Sequence, residues 1–178
     1  MTRSCITIYT DASFYFKTKT GSWRAWIKNA PGETALHSGA FKEGGIQSSN
    51  EAELKAIANG LHMAKKTFSL QQKIIVVVTD SQIAIAYLNL VKNGIPKRKG
   101  RNGGVSSKPW CQTNLDIAKK IWAMVPEGSE LRINKVKAHN GNKDGARSYI
   151  NNLVDRAAKT KIREMRQQTS KEGNHAAR

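Results

Sequence analysis

Four acidic residues are placed where a folded chain could bring their carboxylates together: Asp11, Glu53, Asp80 and Asp155. Asp80 follows the β-branched run 74–78, which predicts a strand that is buried on both faces. Asp11 ends another strand-like stretch, residues 4–11. Neighbouring strands lie about 4.8 Å apart, and ligands of open α/β sheets bind at the carboxyl ends of the strands. The two aspartates could therefore share one divalent cation.

Carboxylates in such a cluster are suited to phosphoryl chemistry. Hard divalent ions such as Mg²⁺ prefer oxygen ligands, and a two-metal site needs several carboxylates to hold the ions roughly 3.5–4 Å apart. One ion then activates water while the other stabilises the leaving oxygen. Since the carboxylates repel one another without metal, we expect metal binding to stabilise the fold as well.

Each acid also has a purely structural interpretation. Asp80 could cap the helix predicted from Ser81, Asp11 could begin a turn, and Asp155 could pair with Lys159.

The predicted helix 51–66 carries two glutamates near its start. Glu51 and Glu53 lie on opposite flanks of its apolar stripe, and Glu51 could pair with Lys55. Periodicity alone does not choose between the two as a site residue.

The elements that must position these residues read β-β-β-α-β-α-α-β-α. We predict strands at 4–11, 21–29, 34–41, 74–79 and 130–137, and helices at 51–66, 81–91, about 110–125 and around 150–158. The fold class is α/β, a mixed five-stranded sheet with three antiparallel strands followed by parallel strands and with helices on both faces. We expect one domain over residues 1–166 and a polar tail over 167–178.

The net charge of the chain indicates which class of molecule it binds. Lys+Arg number 30 against 13 Asp+Glu, a net charge of +17 that favours a polyanion: nucleic acid first, an anionic membrane surface second. Residues 92–108 hold six of the cations, several glycines and no acid, which predicts an exposed basic loop that contacts nucleic acid.

Other features point to a cytoplasmic protein. No apolar run reaches the length of a membrane span, and residues 1–20 contain no hydrophobic signal segment. Two cysteines form neither a disulfide framework nor a zinc motif.

Five motifs occur in an order that resembles ribonuclease H type 1 from about residue 4 to residue 160. They are Ile8-Tyr-Thr-Asp11-Ala-Ser13, Ser49-Asn-Glu-Ala-Glu53-Leu, Val78-Thr-Asp80-Ser-Gln82, Val136-Lys-Ala-His139-Asn-Gly141 and Asn152-Leu-Val-Asp155-Arg-Ala-Ala158. The resemblance implies an RNase H-like fold and cleavage of the RNA strand of RNA–DNA hybrids with two Mg²⁺ ions, or Mn²⁺ in their place.

The resemblance also assigns roles to residues. It selects Glu53 over Glu51, makes Asp11, Glu53, Asp80 and Asp155 the metal ligands, and gives His139 a part in product release or proton transfer. It implies substrate contacts at Ser13, Ser48, Ser49, Asn50, Gln82, Lys97, Arg98, Lys99, Arg101 and Trp110. The expected partner is the hybrid duplex, with no membrane and no obligate protein partner, so we expect a monomer.

Two other functions remain open from the sequence. One is a different nuclease of the same broad fold, such as a resolvase or transposase, although these usually share only the carboxylate geometry. The other is a nucleic-acid-binding module without catalysis, which has no physical need to gather acids beside a phosphate backbone.

Overall fold

The computed structural model describes residues 3–42, 44–94, 111–136 and Thr160. The elements in chain order are β1 (Cys5–Tyr15), β2 (Thr20–Asn29), β3 (Thr34–Ala40), α1 (Ser49–Thr67), β4 (Ile74–Thr79), α2 (Gln82–Asn93), α3 (Gln112–Ala123) and β5 (Glu130–Lys135). They form a five-stranded sheet in the order β3-β2-β1-β4-β5. β1, β2 and β3 pair antiparallel, whereas β4 pairs in parallel with both β1 and β5. The predicted mixed sheet is confirmed.

One face of the sheet carries the main core. Ile6 and Ile8 of β1 alternate with more polar residues, and Ile75 and Val77 of β4 lie beside them, all fully buried. Helices α1, α2 and α3 contribute Leu54, Ile57, Leu61, Leu88, Leu115 and Ile121 to the same cluster. The apolar residues that alternate along the strands and those that recur at helical spacing therefore pack together on one side of the sheet.

Helix α1 packs unusually close to β1. A Cβ atom added at Gly60 would lie 2.7 Å from Thr10 Cγ2 and 3.1 Å from Ile8 Cγ2. Only a glycine allows this approach, because real Cβ atoms do not come that close to other carbons. The contact holds the helix that carries Glu53 against the strand that carries Asp11.

The opposite face has a smaller cluster, Tyr9, Val78 and Val136, with Trp26 packed against it. The rings of Tyr9 and Trp26 are 5.5 Å apart and meet edge to face. A groove of about 470 Å³ lies on this face. The predicted final helix, around 150–158, and the predicted tail, 167–178, lie outside the described residues. Thr160, between them, is helical.

The first strand is longer than predicted. β1 continues past Asp11 to Tyr15 because it pairs with β2 up to Tyr15–Thr20, so Asp11 does not end the strand. The parallel pairing with β4 stops at Tyr9–Val78, and Asp11 lies just beyond it.

Among the described helices, none combines the length and apolar character that a membrane span requires.

Candidate metal centre

The pairing register places two of the carboxylates side by side. Tyr9 of β1 pairs with Val78 of β4, and two residues further along these parallel chains are Asp11 and Asp80. Glu53 reaches the same point from the first turns of α1. Ligand oxygens of Asp11, Glu53 and Asp80 lie within 4.8 Å of one another. The predicted convergence of these three acids is therefore present in the fold.

The three acids have different exposures. Asp11 is 5% exposed. It pairs with Arg24 of β2 on one side, and on the other side it lies just beyond the last pair with β4. Glu53 and Asp80 are half-buried, and they complete the open side of the cluster. The cluster thus has a buried floor and a side that solvent can reach.

Asp80 does not cap the helix that follows it. Helix α2 has Ser81 as its N-cap residue, and Ser81 Oγ accepts a hydrogen bond of 3.2 Å from the Ala84 N–H. Thr79 Oγ1 accepts from the Ser81 N–H. The structural interpretation of Asp80 as a cap is therefore wrong, and its carboxylate faces the other two acids.

Glu51 serves the start of α1. Its Oε1 lies 2.8 Å from Lys55 Nζ, and its Oε2 accepts a 2.9 Å hydrogen bond from the Gln47 N–H. Ser48 Oγ in turn accepts from the Glu51 N–H, which is the arrangement of a capping residue and a first-turn acid. The glutamate left for the cluster is Glu53.

The chemistry of the cluster fits a hard divalent cation. Its members are carboxylates alone, with no histidine or cysteine among the described residues that form it. At such separations two full negative charges repel by about 3 kcal/mol if the effective dielectric constant is about 20. Oxygen donors of this type match Mg²⁺ or Mn²⁺.

Several predicted substrate residues surround the cluster. Ser13 lies on β1 two residues past Asp11, and Gln82 is the first residue of α2. Ser48 is the N-cap residue of α1, so its hydroxyl is used by the helix, whereas Ser49 and Asn50 occupy the first turn. The helix start offers backbone N–H groups to an anion at this point.

The remaining predicted residues lie outside the described residues. They are Asp155, His139, Lys97, Arg98, Lys99, Arg101 and Trp110.

Sequence reasoning missed Arg24. This residue of β2 pairs directly with Asp11 in the antiparallel register. The sequence signal was the turn between Tyr15 and Thr20: once the turn is located, counting outward along both strands brings residue 24 opposite residue 11.

The fold and the site define an α/β protein with a mixed sheet and a cluster of carboxylates just beyond its parallel strands. The family described as RNase H matches residues 3–163, and the chain belongs to that family. The family comprises nucleases, generally uses divalent metal ions and acts on RNA–DNA hybrids.

Solved structures share the fold at low identity. The N-terminal RNase H domain of Rv2228c from Mycobacterium tuberculosis, solved as a fusion with maltose-binding protein, is 15% identical with a TM-score of 0.65, covering 93% of this chain and 99% of that one. RNase H1 from the halophilic archaeon Halobacterium salinarum NRC-1 is 12% identical with a TM-score of 0.61, covering 90% of this chain and 98% of that one. No curated protein sequence matches.

Proposed function

We propose that the protein is a metal-dependent endoribonuclease that hydrolyses the RNA strand of RNA–DNA hybrids. The observation that carries the proposal is the convergence of Asp11, Glu53 and Asp80 within 4.8 Å, in a chain of the RNase H family. In a protein that only bound nucleic acid, three carboxylates facing the phosphate backbone would weaken the binding through electrostatic repulsion.

The acids would hold the metal ions. Asp11, Glu53 and Asp80 supply the ligands that the fold brings together, and the sequence motif adds Asp155 as a fourth. When bound, two Mg²⁺ ions, or Mn²⁺ ions, supply an activated water and stabilise the leaving oxygen.

The chain's own residues have three tasks beside the metal. The buried Asp11 fixes the ligand geometry, because β1 is paired at that position and cannot easily shift. The two half-buried acids leave one side open for the sugar-phosphate strand. His139 is proposed to exchange a proton near the leaving group, since an imidazole titrates close to neutral pH.

Recognition of the hybrid would rest on shape and charge. Small polar residues at the starts of α1 and α2, Ser49, Asn50 and Gln82, are proposed to contact backbone and 2′-hydroxyl groups of the hybrid. The cations at Lys97, Arg98, Lys99 and Arg101, with Trp110, are proposed to hold the other strand. We expect a monomer that acts in the cytoplasm.

One assay tests the proposal. Labelled RNA–DNA hybrid, duplex DNA, duplex RNA and a four-way junction are incubated with the protein in Mg²⁺ and then in EDTA. We expect cleavage of the RNA strand of the hybrid alone, in Mg²⁺ alone, and none by Asp11→Asn. Cutting of the junction would instead indicate a resolvase-like nuclease. Binding of hybrid without hydrolysis would indicate a module that lacks catalysis.

A further inference from the structure

Arg24 lies beside the carboxylate cluster, in the strand that pairs with the strand of Asp11. In an antiparallel pair, directly opposed side chains project from the same face with Cβ atoms about 5 Å apart, and Arg24 is the partner of Asp11. Its Nε is buried and has no hydrogen-bond partner among the described residues.

The pairing of β3, β2 and β1 gives the position of Arg24 relative to the cluster. Across β3, β2 and β1, Ser38 is opposite Arg24 and Arg24 is opposite Asp11, and Asp80 follows on the far side of Asp11. Arg24 therefore flanks the cluster on the side away from Asp80. In this row Arg24 lies between Ser38 and the acids of the cluster.

The buried Nε–H of Arg24 needs a hydrogen-bond acceptor, and it has none among the described residues. Burial of this N–H group costs free energy unless it finds an acceptor. Asp11 is the nearest carboxylate by register, yet it accepts no hydrogen bond from Arg24 Nε. Among the described residues, no other group accepts from this Nε either. A phosphate fits best, because its oxygens match the planar fork of the guanidinium in a bidentate manner.

We propose that Arg24 is a positioning residue that binds the non-bridging oxygens of one phosphate in the strand held at the carboxylate cluster. The inference rests on the proposed function, since that strand is taken to be the RNA of a hybrid. Arg24 would set the depth at which the strand enters, so that the phosphodiester to be cut lies over Asp11, Glu53 and Asp80.

Lys28 provides the matched control. It lies on the same strand and the same face as Arg24, is exposed, and pairs with Thr7 rather than with a member of the cluster. Arg24→Gln and Lys28→Gln remove the same charge from two places on β2. Arg24→Lys keeps the charge and loses the planar fork.

The test measures hybrid binding in EDTA by fluorescence anisotropy, so that it does not depend on turnover. Each RNA linkage near the cleavage point is replaced in turn by a neutral methylphosphonate, with a 2′-O-methyl sugar to prevent self-cleavage. The reference duplex carries the same sugar and an ordinary phosphate. For the wild-type protein we expect one linkage whose replacement weakens binding about 10-fold, the loss typical of a charged hydrogen bond.

For Arg24→Gln, the neutral linkage at that position should weaken hybrid binding by less than about 2-fold, because the contact to the phosphate is already missing. The slope of log Kd against log salt concentration should also fall by about 0.7 to 0.9. Lys28→Gln should keep the wild-type pattern of losses. Arg24→Lys should lie between the two, and it replaces Arg24→Gln if that variant does not fold. If Arg24→Gln and Arg24→Lys show the full wild-type loss at every linkage, the inference is overturned.

The two proposals fail in different ways. A wild-type protein that does not cut hybrid in Mg²⁺ contradicts the proposed function. A wild-type protein that cuts hybrid, with Arg24 variants indistinguishable from it in the linkage scan, contradicts the role of Arg24 alone.

Discussion

Glu51 and Glu53 lie two residues apart at the start of α1, and their carboxylates face different surroundings. Glu51 binds Lys55 and the Gln47 N–H, which ties the helix to the loop before it. Glu53 lies with Asp11 and Asp80 in the carboxylate cluster. One glutamate therefore stabilises the helix start, while the other lies in the carboxylate cluster.

Exchanging each glutamate for glutamine should separate the two roles. Glu53→Gln should reduce hybrid cleavage by about 100-fold or more, because removal of a metal ligand costs more than the 10–100-fold typical of an outer-shell partner. Glu51→Gln should leave cleavage at 25 °C within a few-fold and lower the free energy of unfolding by about 1 kcal/mol. Initial rates and thermal melts of both variants measure these effects. Equal loss of cleavage in the two variants would contradict the assignment.

Metal binding should be visible without substrate. Mg²⁺ at about 100 times its Kd should stabilise the wild-type protein by about 2.7 kcal/mol, since it binds only the folded cluster. For a domain of this size that is a rise in Tm of roughly 5–10 °C. In metal-free buffer, Asp11→Asn should melt at the same temperature or higher, because one repelling charge is removed. It should respond much less to Mg²⁺, and an unchanged response would count against Asp11 as a ligand.

The strand and helix pattern of the described chain could be predicted from sequence because its apolar periods are unambiguous. The run Ile74–Thr79 predicted a strand and placed Asp80 at the correct edge of the sheet, but Ile74 and Val76 are half-buried, so the strand is not buried throughout on both faces. The alternating residues of β1 predicted pairing but not the end of the strand. That end depends on the hairpin with β2, whose turn holds the pairing as far as Tyr15–Thr20.

The site was harder to predict than the sheet, since side-chain contacts decided it. Periodicity could not rank Glu51 against Glu53, because the choice depends on the Gln47 N–H, which comes from the loop before the helix. The N-cap residue of α2 is Ser81 rather than Asp80, because Ser81 Oγ accepts a hydrogen bond from the Ala84 N–H. Arg24 is not part of any of the five motifs, and its position beside Asp11 became apparent only from the pairing register of β1 and β2.

The basic segment should control affinity more than rate. Replacing Lys97, Arg98, Lys99 and Arg101 together by glutamine should weaken hybrid binding several-fold to a hundred-fold at low salt and flatten the salt dependence, since fewer counterions are released. The rate at saturating substrate should change little. The control for a general loss of charge is the pair Lys65→Gln and Lys66→Gln, in the last turn of α1 at the far end from Glu53. Because it removes two charges, it is compared with Lys97→Gln and Arg98→Gln made together. A fall in the saturated rate with unchanged affinity would place the segment in catalysis instead.

The close packing of α1 on β1 should be testable through Gly60. In Gly60→Ala the new methyl group would lie 2.7 Å from Thr10 Cγ2, so the helix must shift or the strand must strain. Overpacking of this kind costs about 1–3 kcal/mol, and the better helix propensity of alanine offsets about 1 kcal/mol of it. Because the shift moves Glu53 away from Asp11, we expect lower Mg²⁺ affinity as well as a lower Tm.

Thr10→Ser removes the Cγ2 methyl that the new side chain would strike. The double variant Gly60→Ala with Thr10→Ser should therefore recover part of the stability and of the Mg²⁺ affinity, with a coupling free energy of about 0.5–3 kcal/mol between the two sites. Thermal melts and Mg²⁺ titrations of both single variants and the double variant measure it. Strictly additive effects would show that the Gly60–Thr10 contact does not hold Glu53 at the cluster.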